Sequence, residues 1–183
     1  MRKELASAVR AEFAVAIKRR LPQFNPIKVA SRFAWPGSRV FRWTHDASLH
    51  FFVELLFDPK GADAFAVEVG WSRLGRYPEV RARPGFPSGG GEATRPEHWS
   101  RLSSLYAPIG GFWSLEEPDD APGATGLSGG TVSVGTVAPV PLEVARARVA
   151  RRVEDAVDKL VAHGLPYFEQ VAGSNATPTA ARR

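Results

Sequence analysis

Apolar and polar residues alternate through the first part of the chain in two different periods. Leu5, Val9, Phe13, Ile17 and Leu21 recur every four residues, with Ala6 and Ala16 beside them. That spacing predicts a helix over about 3–20 with one apolar stripe. Lys18, Arg19 and Arg20 put cations in its last turn, where the helix dipole favours them, and Pro22 and Pro26 forbid continuation.

The period then falls to two. Segments 29–35, 39–44, 48–57 and 64–71 read as strands, with Pro36-Gly37 and the run Asp58-Pro-Lys-Gly-Ala-Asp63 as turns. Phe51, Val53, Leu55 and Phe57 alternate with His50, Phe52, Glu54 and Leu56. Phe65, Val67, Val69 and Trp71 alternate with Ala66, Glu68 and Gly70. An antiparallel meander with one face on a core follows.

The middle is less regular. Loops are expected at about 84–93 and at 116–130, the second acidic and then glycine-rich. Thr94 as N-cap and Pro96 in the first turn predict a short helix burying Trp99, Leu102 and Leu105. Segment 111–115 reads as a strand and 131–137 as an edge strand. A long helix is predicted over 141–163, because Leu142, Ala145, Val149, Val153, Ala156 and Leu160 share a face. Gly164 is its expected C-terminal cap, with a further helical turn over 167–171. The small, polar tail 173–183 is expected to be disordered.

Helix, grouped strands, irregular middle and helix define an α+β class. The expected architecture is an antiparallel sheet of about five to six strands, with the N- and C-terminal helices packed on one face. A single domain over 1–172 accounts for the pattern.

Composition narrows the function classes. Five Trp and eleven Phe supply material for a core, and the chain has no cysteine. Disulfides, thiolate metal sites and a cysteine nucleophile are thereby excluded. The same feature fits a reducing compartment, so a cytoplasmic location is expected. No apolar run is long enough for a membrane span, and Glu4 and Glu12 interrupt the N-terminal pattern, against a signal peptide. The net charge of +5 and pI near 10.0 suit an acidic partner.

Phe41-Arg-Trp43, the aromatic stretches 49–57 and 65–72, and Gly164-Leu-Pro-Tyr167 followed by Phe168-Glu169 resemble a bacterial domain-of-unknown-function family. The resemblance covers roughly the first 80 residues and the last 40; segment 81–130 does not contribute. Some similar small domains are immunity-like, which implies a toxin as partner. The resemblance brings no catalytic residues with it.

Tests for chemistry return little. His45, His50, His98 and His163 form no metal-binding spacing, and His45-Asp46 reads as local turn bonding. The glycine-rich run 123–130 lacks the Lys-Ser/Thr ending of a phosphate loop. There is no Gly-x-Ser-x-Gly elbow. No metal and no cofactor is expected.

One cross-strand group stands out. Pairing Phe57 with Phe65 sets Glu54 directly opposite Glu68, with Arg42, His50 and Phe52 on the same face. Arg73 and Arg76 follow in a basic stretch. This face admits three uses: a solvated surface with Arg42 as counter-ion, a binding groove, or an acid–base pair. On helix 141–163, Glu143, Glu154, Asp155 and Asp158 interleave with Arg146, Arg148, Arg151 and Arg152, which predicts an ordinary solvated face of i,i+4 pairs.

The leading expectation is a non-enzymatic protein-binding module, of the kind a bacterial immunity protein uses against a partner toxin. Nucleic-acid binding through the arginine and aromatic surface is the first alternative. A small acid–base hydrolase using Glu54 and Glu68 is the second.

Overall fold

The computed structural model describes residues 1–29, 34–35, 37–80, 95–107, 111–116 and 141–174. Helix α1 spans Lys3–Arg20. Five strands follow: β1 (Asn25–Ile27), β2 (Arg39–Thr44), β3 (His50–Phe57), β4 (Ala64–Ser72) and β5 (Glu97–Arg101). A 3₁₀ turn over Leu102–Leu105 leads on to the short strand β6 (Trp113–Ser114). Helix α2 (Leu142–Lys159) passes through a π turn (Leu160–Gly164) into α3 (Leu165–Gly173).

The sheet is antiparallel in the order β1-β2-β3-β4-β5, with β6 paired to the start of β4. Phe57 lies opposite Phe65 and Glu54 opposite Glu68, the register that the alternation dictates. Phe41, Phe51, Val53, Leu55, Phe65, Val67, Val69 and Trp71 form the inner face. Against it pack Leu5, Val9, Phe13 and Ile17 of α1, Ala145, Val149 and Val153 of α2, and Phe168 of α3, all buried. Each fully buried large side chain contributes about 1.5–3 kcal/mol, so this layer is what fixes the sheet. The α+β class with both terminal helices on one face is therefore found as the sequence predicts.

Several elements differ from the sequence expectation. The first strand is Asn25–Ile27 rather than 29–35, of which 30–33 lie outside the described residues. Pro26 is tolerated there because β1 is an edge strand and pairs on one side only. Leu49 precedes the third strand, which begins at His50. The expected helix opening at 94–99 and burying Trp99, Leu102 and Leu105 is instead strand β5, hydrogen-bonded along β4 from Glu68 to Ser72, and is helical only in the 3₁₀ turn Leu102–Leu105. Thr94, its expected cap, lies outside the described residues. Tertiary pairing with a central strand outweighs a local capping signal there.

Gly164 does not terminate its helix. Its φ of −70° and ψ of −45° are right-handed. An added Cβ would lie 2.6 Å from Leu160 Cδ1, so the glycine serves close packing rather than a left-handed cap. Pro166 follows directly on the π turn, the departure from regular α geometry next to the residue that cannot donate a backbone bond. The expected turn at 167–171 is within α3. The expected strand 131–137, the loops 84–93 and 117–130 and the tail from 175 lie outside the described residues.

Candidate functional site

The outer face of the sheet, opposite the helices, carries the predicted group. Across it run Val40 and Arg42 of β2, His50, Phe52 and Glu54 of β3, Glu68 and Ser72 of β4, and Glu97, Trp99 and Arg101 of β5. This face is not a solvated surface. Glu54 is 0% exposed and Glu68 3%, and Glu97 is also buried. Phe52, Trp99 and Val40 form a second small core with Ile27, Val29 and Tyr77.

Buried carboxylates must be satisfied, and each of these is. Glu54 Oε2 accepts from the Tyr77 hydroxyl at 2.8 Å, and Oε1 from the Trp35 amide at 3.3 Å. Glu68 Oε2 accepts from the Trp99 indole at 2.6 Å, and Oε1 from Arg101 at 3.1 Å. Glu97 Oε1 accepts from Ser72 Oγ at 3.2 Å and faces Arg76 Nε at 3.5 Å. Its other oxygen accepts the Glu79 amide at 3.2 Å. Glu54 and Glu97 thus tie the crossings at residues 35 and 77–79 onto the sheet, while Glu68 ties β5 to β4.

Gly70 makes the arrangement at Glu68 feasible. It lies opposite Trp99, and an added Cβ would stand 2.0 Å from the indole Cε3. Only a bare Cα at that position lets the indole lie across β4 and bring its N–H to Glu68.

The electrostatics follow from burial. Burial pushes the Glu68 carboxyl above its ordinary range; the Trp99 and Arg101 hydrogen bonds and charge oppose this, and the neighbouring Glu54 charge adds to it. Burial, and then Arg42, hold the His50 imidazole below its ordinary pKa against a smaller opposite pull from Asp46. His50 Nδ1 has no hydrogen-bond partner among the described residues.

Two exposed aromatic residues adjoin this face. Trp35, whose amide is held by Glu54, is 43% exposed. Phe112, 45% exposed, has the Arg101 guanidinium 4.6 Å from its ring centroid, and that guanidinium is held by Glu68. A backbone position and an arginine under an exposed ring are thus both fixed by buried charge.

Of the candidate residues, the structure brings together Arg42, His50, Phe52, Glu54 and Glu68 on this face, with Arg76 at its border through Glu97 and Glu79. Arg73 does not join them. It stacks on Trp71 at 4.5 Å and donates to the Val171 carbonyl at 3.3 Å, on the helix side. The expected counter-ion Arg42 makes no ion pair with either glutamate among the described residues; Arg101 serves Glu68 instead. Glu97, Trp99, Arg101 and Tyr77 were not foreseen, although the alternation Glu97, Trp99, Arg101 is itself a strand signal.

Elsewhere, Asp46 accepts from the Ser48 amide, the Ser48 hydroxyl and the Leu49 amide at 2.7–2.9 Å, the local turn bonding that the sequence suggested. Three acids of α2 pair with other elements. Glu154 and Asp158 reach across to Arg19 and Arg20 of α1, and Asp155 accepts from the Trp113 indole at 2.7 Å. Interhelical pairing has taken Glu154 and Asp158, two of the acids that the surface pattern assigned to the arginines. Among the described residues, no three His, Asp or Glu side chains are grouped to hold a metal, and no helix is long and apolar enough to cross a membrane. Comparison with protein-family models, curated proteins and solved structures gives no significant match.

Proposed function

We propose that the protein is a protein-binding module that docks an acidic partner on the outer face of its sheet, as an immunity-type inhibitor docks a toxin. One observation carries this reading: buried Glu54 and Glu68 hold, at fixed positions, the backbone of exposed Trp35 and the arginine beneath exposed Phe112. Exposed aromatic residues carried on a rigid, desolvated base are the usual anchors of a protein interface. Arg42 on the same face supplies positive charge for steering an acidic surface. The resemblance of the aromatic strands and the Gly164-Leu-Pro-Tyr167 corner to a family with immunity-like relatives points the same way. The acid–base alternative is weaker, because both carboxylates are buried and their oxygens already accept protein donors.

The test is co-expression with each protein encoded beside this one. A stoichiometric complex that Trp35→Ala and Phe112→Ala weaken supports the proposal. A protein that stays uncomplexed with every such candidate refutes it.

A second reading has its own observation. Arg146, Arg151 and Arg152 of α2 are exposed and, among the described residues, unpaired, since Glu154 and Asp158 serve α1. Binding of a single-stranded oligonucleotide that weakens steeply with salt and with charge removal at these arginines would favour nucleic acid.

A further inference from the structure

We propose that the cleft between the β1–β2 edge and the turn at Trp35 is a carboxylate-recognition site that takes an acidic peptide segment of the partner protein. This rests on the outer-face reading and specifies the chemistry of what binds there.

The cleft encloses about 380 Å³ and is lined by Ile27, Lys28, Val29, Trp35, Arg39 and Val40 among others. That volume lies within the range of about 300–1,000 Å³ of small-ligand sites. Its apolar wall is firm, since Ile27 and Val29 pack against the buried cluster of Val40, Phe52 and Trp99. Its other wall is a tight turn. The Ser38 amide donates to the Trp35 carbonyl at 3.0 Å, and Gly37 has a φ of +77°, a value that L side chains rarely adopt.

Positive charge gathers at this turn. Arg10 stacks on Phe57 at 4.6 Å and donates from Nε to the Gly37 carbonyl at 3.3 Å. Burial and then the charge of Arg39 hold the Arg10 pKa below its ordinary value, as expected for two guanidinium groups in range of each other. Arg10, Lys28 and Arg39 form no ion pair among the described residues. The buried Glu54 carboxylate accepts from Trp35 and Tyr77 behind the cleft. Lys28 and Arg39, which line the aliphatic cleft, match a carboxylate next to an aliphatic side chain. A nucleic-acid strand fits less well, because it needs successive stacking platforms and Trp35 is the cleft's one aromatic lining residue among those described.

Amide NMR of the ¹⁵N-labelled chain tests this with the blocked peptide Ac-Glu-Leu-Asp-Glu-NH₂, its neutral counterpart Ac-Gln-Leu-Asn-Gln-NH₂, and a ten-residue oligothymidylate. The acidic peptide is expected to give saturable shifts at Lys28, Val29, Gly37, Ser38 and Arg39. Lys28→Gln or Arg39→Gln should weaken it about tenfold each, and Arg39→Lys should retain most of the affinity. Four results would each overturn the site: equal binding of the neutral peptide, shifts confined elsewhere, unchanged affinity in both Gln variants, or tighter binding of the oligonucleotide at the same residues. No partner is needed for this titration. Its failure beside a complex that depends on Trp35 and Phe112 removes the cleft alone, whereas absence of any complex removes the outer-face reading.

Discussion

Gly70→Ala is the sharpest perturbation of the outer face. The new Cβ would lie 2.0 Å from Trp99 Cε3, 2.6 Å from Cζ3 and 2.7 Å from the His98 carbonyl oxygen. Carbon atoms at rest sit about 3.5–4.0 Å apart, so the indole must move by roughly 1.5 Å or more. The ring is rigid, and its N–H lies only 2.6 Å from Glu68 Oε2, so the same displacement breaks that bond. Overpacking costs about 1–3 kcal/mol, and losing a hydrogen bond to a buried charge about 1.5–3 kcal/mol. A combined loss of about 3–5 kcal/mol is expected, a large share of a typical domain's stability. Urea unfolding followed by circular dichroism measures it, with Gly173→Ala as control because a Cβ there meets nothing within 4 Å. A loss below about 1 kcal/mol for Gly70→Ala would show that Trp99 does not lie across β4, and the account of Glu68 would fall with it.

Other outcomes follow from the same contacts. The folded-state pKa of Glu68 is raised above the usual 4.5, so the unfolded chain releases this proton first and stability falls as pH rises from there to the raised value. Glu68→Gln removes that decline, so wild-type stability minus variant stability should shrink with rising pH; urea midpoints taken from about pH 4 to 8 check it, and a growing difference contradicts it. Tyr77→Phe removes a 2.8 Å donor from a fully buried carboxylate and should cost about 1.5–3 kcal/mol in the same unfolding assay. Asp46→Ala deletes three acceptor contacts in the β2–β3 turn and should lower the melting temperature measurably, while Ser48→Ala, which removes one of them, should lower it less.

The inner face was legible because burial on one side imposes a strict period. Phe57 opposite Phe65 could be written down from the alternation alone, and with it Glu54 opposite Glu68. What those carboxylates do was not legible, because their donors come from Trp35, Tyr77, Trp99 and Arg101, all outside that hairpin. Trp99 and Arg101 were assigned to a helix on the strength of Thr94 and Pro96, and the competing period of two over Glu97, Trp99 and Arg101 is only five residues long. Gly70 is simply one outward position in the alternation, and its role depends on an indole 29 positions later in the chain. Gly164 misled because a glycine selected for space and one selected for a positive φ look identical in sequence. The α2 arginines misled because local spacing cannot show that α1 claims their acidic neighbours.

The most direct test of the central claim is calorimetric titration of a co-expressed partner against single alanine variants. Trp35→Ala and Phe112→Ala should each cost about 2 kcal/mol or more of binding, while Leu142→Ala and Val144→Ala, exposed aliphatic changes on α2, should cost less than about 0.5 kcal/mol. The reverse pattern would move the interface to the helical layer and leave the outer face as a purely structural device.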